Sequence, residues 1–201
     1  MDIPLDRRTA LLERIVEALL DTGAADLSLR PLAERVGTSA RLLIYHFGAK
    51  DQLVAAAIEQ VHDNIAASLA VRAARDAPQS LRAVLTMFWD WATEPASQRY
   101  FRLLFEIDGL TLYARIRFSD EVRRANSAFW ITLIDRAAAR LPRAGEPPAG
   151  RRTLIFCAIS GLLQERLATG DLDQTTAAFL ALIDLVAPDA DTPVPSQGPK
   201  P

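Results

Sequence analysis

The chain has little of several residue types that many functions require. Among its 201 residues it contains one cysteine, two histidines and two lysines. The single cysteine, Cys157, excludes an internal disulfide framework and a zinc site built on cysteines, which favours a reducing compartment. His46 and His62 have no nucleophile, carboxylate pair or metal ligand at a useful spacing. The sequence therefore predicts no catalytic residue, no cofactor and no metal site.

Excess positive charge and long apolar runs are also absent. Twenty-three Lys and Arg residues face 25 Asp and Glu residues, for a formal net charge of −2. A protein that coats nucleic acid along its whole surface needs many more cations, so any DNA site must be local. No apolar stretch approaches the length of a membrane span, and the N-terminal MDIPLDRR lacks a signal core. We expect no membrane partner and a cytoplasmic location.

Apolar periodicity predicts helices nearly throughout the chain. The first helix is expected over about 8–22 and ends at Gly23. Two short helices follow, separated by Gly37-Thr38-Ser39, which has the length of a helix-turn-helix turn. Ser28 is expected to cap the second helix, and Thr38 or Ser39 the third, over about 40–46. Further helices are predicted over about 50–72, from 81 to before Pro95, from about 100 to before Gly109, and over about 119–141, 151–168 and 174–186. Residues 110–118 are interpreted as helix or loop and 142–150 as a loop.

Several motifs in residues 11–58 have a characteristic order and spacing. The first helix ends in Thr-Gly, the run Ser-Leu-Arg-x-Leu-Ala-x-x-Val-Gly covers 28–37, and Tyr-His-Phe at 45–47 is followed by Lys50. Together they closely resemble the DNA-binding domain of the TetR (tetracycline-repressor) family. The resemblance implies an all-α fold with a three-helix, helix-turn-helix DNA-binding domain over 1–49. A long helix would join it to a helical ligand-binding and dimerisation domain over 50–187, and the Pro-rich tail at 188–201 is predicted to be disordered.

The predicted DNA-binding window carries the local positive charge that the whole chain lacks. Between residues 28 and 50, four cations face Glu34 alone, for a net charge of +3. In a recognition helix, Leu43 and Phe47 should face inward and leave Arg41 and Ile44 to face base edges. Arg41 can form two parallel hydrogen bonds with guanine, and apolar side chains can contact thymine methyl groups. The resemblance adds Arg30 as a base or phosphate contact and Tyr45, His46 and Lys50 as backbone contacts. The predicted DNA-binding residues are Arg30, Ser39, Ala40, Arg41, Ile44, Tyr45, His46 and Lys50.

Other interpretations of this window stay open. The cations could form a solvated face, and Tyr45 and His46 could pack against the first helix. At Arg41, Leu42 and Ile44 the sequence departs from the commonest pattern of the family, so the operator sequence cannot be inferred by analogy. An alternative function is a helical small-molecule-binding protein that has lost sequence-specific DNA binding.

The aromatic residues of the body concentrate between residues 88 and 130. Packing in a helical bundle explains most of them, but the same stretch holds polar groups, including Arg99, Glu106 and Asp108. An apolar cavity with a few polar groups is typical of a small-molecule site, and the resemblance places the inducer site among these middle helices. The candidate ligand-binding residues are Phe88, Trp91, Phe105, Tyr113 and Trp130.

The last predicted helix is apolar on nearly every side and needs cover on every side. A second subunit is the expected cover, with the last two helices of each chain forming a four-helix bundle. Cys157 is interpreted as a buried small hydrophobe, four residues before Gly161, where two helices can approach closely. The candidate dimer-interface residues are Cys157, Gly161, Phe179, Leu182, Ile183 and Val186. The predicted function is a ligand-responsive homodimeric repressor that binds a near-palindromic operator.

Overall fold

The computed structural model describes residues 3–118, 120–139 and 149–188, and within these ranges it contains nine helices and no strand. The predicted all-α fold is confirmed. The predicted tail lies outside the described residues beyond Pro188, as does the predicted loop up to residue 148. The helices are α1 (Ile3–Thr22), α2 (Leu29–Arg35), α3 (Ala40–Phe47), α4 (Lys50–Asp76), α5 (Leu81–Ala92), α6 (Pro95–Leu112), α7 (Asp120–Ala138), α8 (Ala149–Thr169) and α9 (Leu172–Val186).

Side-chain caps fix the starts of some helices but not of α2. The Ser39 hydroxyl accepts a hydrogen bond from the Leu42 amide at 3.2 Å, as predicted for the start of α3. The predicted cap at Ser28 is wrong, because its hydroxyl makes no capping hydrogen bond. Instead, the Ser28 carbonyl accepts from the Leu32 amide at 3.2 Å, and burial of Leu32 holds this short helix in place.

The sixth helix continues past the residue where the sequence predicted its end. Gly109 lies inside α6, which runs to Leu112. A glycine inside a helix costs only about 1 kcal/mol relative to alanine, and burial of Ile107 and packing of Leu110 against the core offset that cost. The chain then turns, with Ala114 at a φ of 52° and the Arg115 amide donating to the Leu110 carbonyl at 2.8 Å. Residues 110–118 are therefore helix followed by a turn, as interpreted from the sequence.

Helix α4 connects the N-terminal helices to the rest of the molecule. It packs on α1 and α3 near its start and on α5 and α7 further along, while α6 and α7 pack on α8, and α8 pairs with α9. The buried apolar residues form one continuous cluster from Leu11 to Ala187. The predicted domain boundary near residue 49 stays a prediction, since no gap in this core marks it. None of the described helices has the length and hydrophobicity that crossing a membrane requires.

Candidate DNA-binding surface and ligand cavity

The recognition helix α3 separates an inward face from an outward face. Leu43 is fully buried and Phe47 is 6 % exposed, so both pack into the core, as the periodicity predicts. On the opposite face, Ile44 is 53 % exposed and Tyr45 80 %, and Arg41 is also exposed. Exposed apolar and aromatic side chains beside an arginine are suited to contact thymine methyl groups and a guanine edge in the major groove.

Leu42, a departure from the family pattern that was not among the predicted DNA-binding residues, is 41 % exposed. It lies beside Arg41 in the first turn of α3, where recognition helices contact bases. Successive residues of a helix lie about 100° apart around its axis. The position of Leu42 one residue before the inward-facing Leu43 could therefore have indicated that Leu42 is not on the buried face. Ala40 lies at the start of the same turn and is half-buried. The outward surface of α3 is therefore more apolar than the predicted set suggested.

His46 occupies an intermediate position between the two faces. It is half-buried, and its ring lies 5.1 Å from that of Tyr45 and 6.2 Å from that of Phe47, centroid to centroid. Arg8 of α1 donates from Nε to the His46 carbonyl at 3.4 Å and places its guanidinium 5.0 Å from the centre of the Phe47 ring. Arg8 thus ties α1 to the C-terminal end of the recognition helix, a contact that the sequence did not indicate.

Two cations flank the recognition helix. Arg30, near the start of α2, is exposed and pairs with Glu34 at 3.6 Å. An exposed pair at this spacing is worth only about 0.3–0.5 kcal/mol, so it leaves the guanidinium available to a phosphate. Lys50 is the first residue of α4, where a helix N-terminus adds its own attraction for anions. Ala49, which precedes Lys50, has no polar side chain to cap this N-terminus. Instead, the Gln52 side chain accepts a hydrogen bond from the Ala49 amide at 2.9 Å.

Helix α6 is joined to α1 and its following loop by charged contacts. The Glu106 carboxylate accepts from the Ala24 amide at 2.6 Å and from the Ala25 amide at 3.1 Å. Arg99 donates to Glu17 at 3.1 Å and Asp21 at 2.8 Å. Charge-assisted hydrogen bonds of this kind are stronger than neutral ones. Arg99 and Glu106 therefore lie at the junction between the body and the N-terminal helices and not in a ligand site.

A cavity of about 460 Å³ lies among α4, α5, α6, α7 and α8. Its walls are mostly apolar, which is typical of small-molecule sites. Three of the five candidate ligand residues line it: Phe88, Phe105 and Trp130. Phe101 and Phe156, which were not among the candidates, also line it and stack near Trp130 with ring centroids 5.8 and 6.3 Å away.

The other two candidate ligand residues lie elsewhere. Trp91 is buried beside the cavity wall and donates from Nε1 to the Ser68 hydroxyl at 2.9 Å. Tyr113 is 82 % exposed in the turn after α6. Its position follows from the extension of α6 through Gly109, which rotates residue 113 away from the interior.

His62 on α4 is a buried imidazole in the aromatic cluster next to the cavity. Its ring lies parallel to that of Phe129, with centroids 4.0 Å apart, and meets the edge of Trp130 at 6.1 Å. Burial alone lowers the pKa of His62 from 6.5 to about 4. The folded protein therefore holds this histidine neutral at pH 7.

This burial predicts a measurable acid sensitivity. In the unfolded chain His62 has its ordinary pKa of 6.5, so between about pH 6.5 and 4 the unfolded state binds a proton that the folded state does not. Acidification across this window should lower the free energy of unfolding by up to about 3 kcal/mol. His62→Phe keeps a stacked ring and should remove this component. Urea unfolding of both proteins at pH 7 and pH 4.5 measures it, and an equal loss of stability in both would contradict the prediction.

The outer side of α8 and α9 exposes several apolar side chains. Phe179, Ile183 and Val186 point into the core of their own protomer, and Phe179 stacks on Trp89 with ring centroids 4.4 Å apart. These three predicted interface residues are thus not accessible to a partner, and Leu182 is half-buried. Cys157 is exposed, which corrects its interpretation as a buried residue within the protomer, and Gly161 has no atom within 4 Å of the position of an added Cβ. We call the outer surface the α8/α9 face; its exposed members are Leu154, Cys157, Gly161, Leu180 and Leu185.

Comparisons with known proteins agree with this arrangement. A helix-turn-helix with an exposed second helix is an arrangement that DNA-binding proteins use to enter the major groove. Residues 11–57 match the family model described as bacterial regulatory proteins, tetR family. Residues 11–57 are therefore similar to the N-terminal domain of this family of bacterial regulatory proteins.

Individual relatives match part of the sequence, and a solved structure matches the fold. Over 108 residues the chain is 35% identical to the HTH-type transcriptional activator FasR of Mycolicibacterium smegmatis. This match covers 53% of this chain and 48% of FasR. Over 82 residues it is 32% identical to the HTH-type transcriptional regulator BetI 1 of Chromohalobacter salexigens, covering 39% and 41%. The matches span about half the length of these curated relatives or less. The structure of the multidrug binding protein EbrR complexed with ethidium shares the fold, with a TM-score of 0.66, 20% identity and coverage of 92% and 99%.

Proposed function

We propose that this protein is a ligand-responsive homodimeric repressor that binds a near-palindromic DNA operator. The observation that carries the proposal is the outward face of α3, where Arg41, Ile44 and Tyr45 are exposed while Leu43 anchors the helix from behind. A recognition helix requires one exposed face that contacts DNA and one buried face that holds the helix in place. Arg30 and Lys50 flank it as phosphate contacts, which position the protein without specifying sequence.

Dimerisation would occur through the α8/α9 face. Exposed leucines on two neighbouring helices form a patch that a second copy can cover by two-fold symmetry, since an isologous interface uses the same surface twice. In such a dimer the two α3 helices would enter successive major grooves about 34–36 Å apart. The operator would then be a near-palindrome, because its two halves face identical subunits.

A small molecule in the cavity would control this spacing. Helices α4 and α6 both line the cavity and both contact the N-terminal helices, α6 through Glu106 and Arg99. A ligand that binds one arrangement of these helices better than another shifts the population toward it. The EbrR neighbour is described as complexed with ethidium, which supports a small molecule as the effector. Repression is proposed because occupancy of promoter DNA is sufficient for it, whereas activation requires an additional contact with the polymerase.

The decisive experiment compares two cationic positions in DNA binding. Arg41→Ala should lose about 1–3 kcal/mol of binding free energy and relax the preference at one base position, whereas Lys50→Ala should weaken binding to all sequences and lower the salt slope by about one. Fluorescence anisotropy with DNA flanking the protein's own gene, at several salt concentrations, measures both effects.

Arg124→Ala serves as the control, since Arg124 is an exposed arginine on α7, away from α3. It should bind operator DNA like the unmodified protein. Unchanged binding by both Arg41→Ala and Lys50→Ala would refute the proposal. Transcription in vitro from the same promoter distinguishes repression from activation, the function by which FasR is named.

The second candidate is a small-molecule-binding protein that no longer binds DNA specifically. The exposed Leu42 and Ile44 favour it, because two apolar side chains at base-reading positions offer no hydrogen bonds to base edges. This candidate predicts equal affinity for operator and unrelated DNA of the same length. The anisotropy experiment distinguishes the two functions directly.

A further inference from the structure

The cavity contains two charged side chains among its walls, Asp108 of α6 and Arg136 of α7. Its other polar lining residues are Ser160 and Gln164 of α8. The charge of the ligand should therefore be decided by which of the two charged groups the cavity walls desolvate.

The Asp108 carboxyl has no ion pair or hydrogen bond in the described part of the chain. As a residue Asp108 is exposed, which places it at the rim of the cavity. The cavity walls nevertheless desolvate its carboxyl, and this burial raises the pKa of Asp108 above its ordinary value. A cation next to this carboxylate would replace the lost hydration.

The surroundings of Asp108 also favour positive charge. Five aromatic rings line the cavity, and their faces attract cations and repel anions. Asp108 lies near the C-terminal end of α6, where the helix dipole is negative and the last turn holds no basic residue. The adjacent Gly109 also lines the cavity, and apart from its chain neighbours and its own helix backbone no atom lies within 4 Å of where its Cβ would be, so space for a ligand group exists beside it.

Arg136 does not supply the missing counterion. It is exposed, and it forms no ion pair with Asp108 among the described residues. An exposed guanidinium keeps its hydration and has no need of a ligand anion. The charge that burial desolvates at the edge of the apolar space is thus the carboxylate.

We propose that the effector is an organic monocation with an apolar, aromatic-sized body, and that Asp108 is the residue that selects its charge. The body of the ligand would contact Phe88, Phe105 and Trp130, while its cationic group would lie against Asp108 and Gly109. This inference rests on the proposed function for its regulatory meaning, but the binding itself can be measured without DNA.

The test uses two probes of the same shape and opposite charge, tetraphenylphosphonium and tetraphenylborate, titrated calorimetrically into the full chain. The phosphonium should bind more tightly than the borate. Asp108→Asn keeps the shape of the side chain and should weaken phosphonium binding by about 10- to 100-fold, because it removes the charge attraction of a partly desolvated carboxylate. Asp90→Asn is the matched control, because Asp90 is an exposed aspartate of α5 that does not line the cavity. It should leave the affinity unchanged.

Three outcomes would overturn the inference: no phosphonium binding, binding that Asp108→Asn does not weaken, or tighter binding of the borate, which would transfer the selecting role to Arg136. Thermal unfolding of each variant verifies that it is folded. Operator binding is measured separately, so failure of the cation site with intact operator binding refutes only this inference. Loss of operator binding with intact phosphonium binding refutes only the proposed function.

Discussion

Leu185→Arg is expected to convert the protein into monomers and to abolish stable binding to a palindromic operator. Leu185 is 73 % exposed on the outer side of α9, and the proposed dimer buries it. Because the interface is two-fold symmetric, the substitution introduces two guanidinium groups. An uncompensated charge in a buried interface costs about 3–5 kcal/mol, which corresponds to a dimer dissociation constant raised by more than about 100-fold. Size-exclusion chromatography with light scattering measures the oligomeric state, and anisotropy measures operator affinity.

Val71→Arg is the matched control for this substitution. Val71 is a 74 % exposed aliphatic residue on α4, so the change in exposed apolar surface and in charge is nearly the same. This variant should stay dimeric and bind the operator. A dimeric Leu185→Arg protein would show that the subunits associate through another surface, and monomers in both variants would point to a general effect of added charge.

The interior of the N-terminal domain could be predicted from the sequence because local rules determine it. Leu43 and Phe47 are four residues apart and must share one face of a helix, and Ser39 precedes that helix with a hydroxyl suited to cap it. The failure at Ser28 has a physical reason. A hydroxyl at a helix start is one acceptor among several, and in a seven-residue helix held by tertiary packing the backbone of Ser28 is sufficient.

The cavity and the α8/α9 face could be predicted only in part because they depend on long-range packing. The position of Tyr113 depends on where α6 ends. Helix propensity alone predicted an end before Gly109, whereas the helix continues to Leu112. On α9, apolar residues cover nearly the whole circumference, so periodicity could not tell which side faces α8. The structure assigns Phe179 and Ile183 to the inside and leaves Leu180 and Leu185 outside.

The charged residues of α6 illustrate the same limit. Arg99, Glu106 and Asp108 lie within ten residues of one another and were indistinguishable as candidate polar groups of a ligand site. A helix turns by about 100° per residue, so their side chains reach different neighbours. Arg99 and Glu106 bind α1 and its following loop, and only Asp108 reaches the cavity.

Gly48→Ala is expected to lower the free energy of unfolding by straining the connection between α3 and α4. Gly48 has φ 76° and ψ −133°, a conformation that costs an L-residue about 1–3 kcal/mol. Its added Cβ would collide with the Gln52 side chain, whose hydrogen bond to the Ala49 amide caps α4. Losing that bond costs about 1 kcal/mol more, so the free energy of unfolding should fall by about 2–4 kcal/mol. Urea unfolding followed by circular dichroism measures the change.

Two variants separate the causes of this loss. Gln52→Ala removes the capping hydrogen bond but keeps the glycine, and should cost only about 1 kcal/mol. Gly109→Ala adds the same methyl group inside a helix, where no atom of another element lies within 4 Å of it, and should stabilise the protein by about 0.5–1 kcal/mol. If Gly48→Ala costs no more than Gln52→Ala, backbone strain at residue 48 is unimportant. If Gly48→Ala lowers the free energy of unfolding by the full amount of about 2–4 kcal/mol, the conformation of Gly48 sets the angle between α3 and α4. The folded fraction of the variant should then also bind the operator more weakly, because Arg41 and Lys50 lie on opposite sides of that turn.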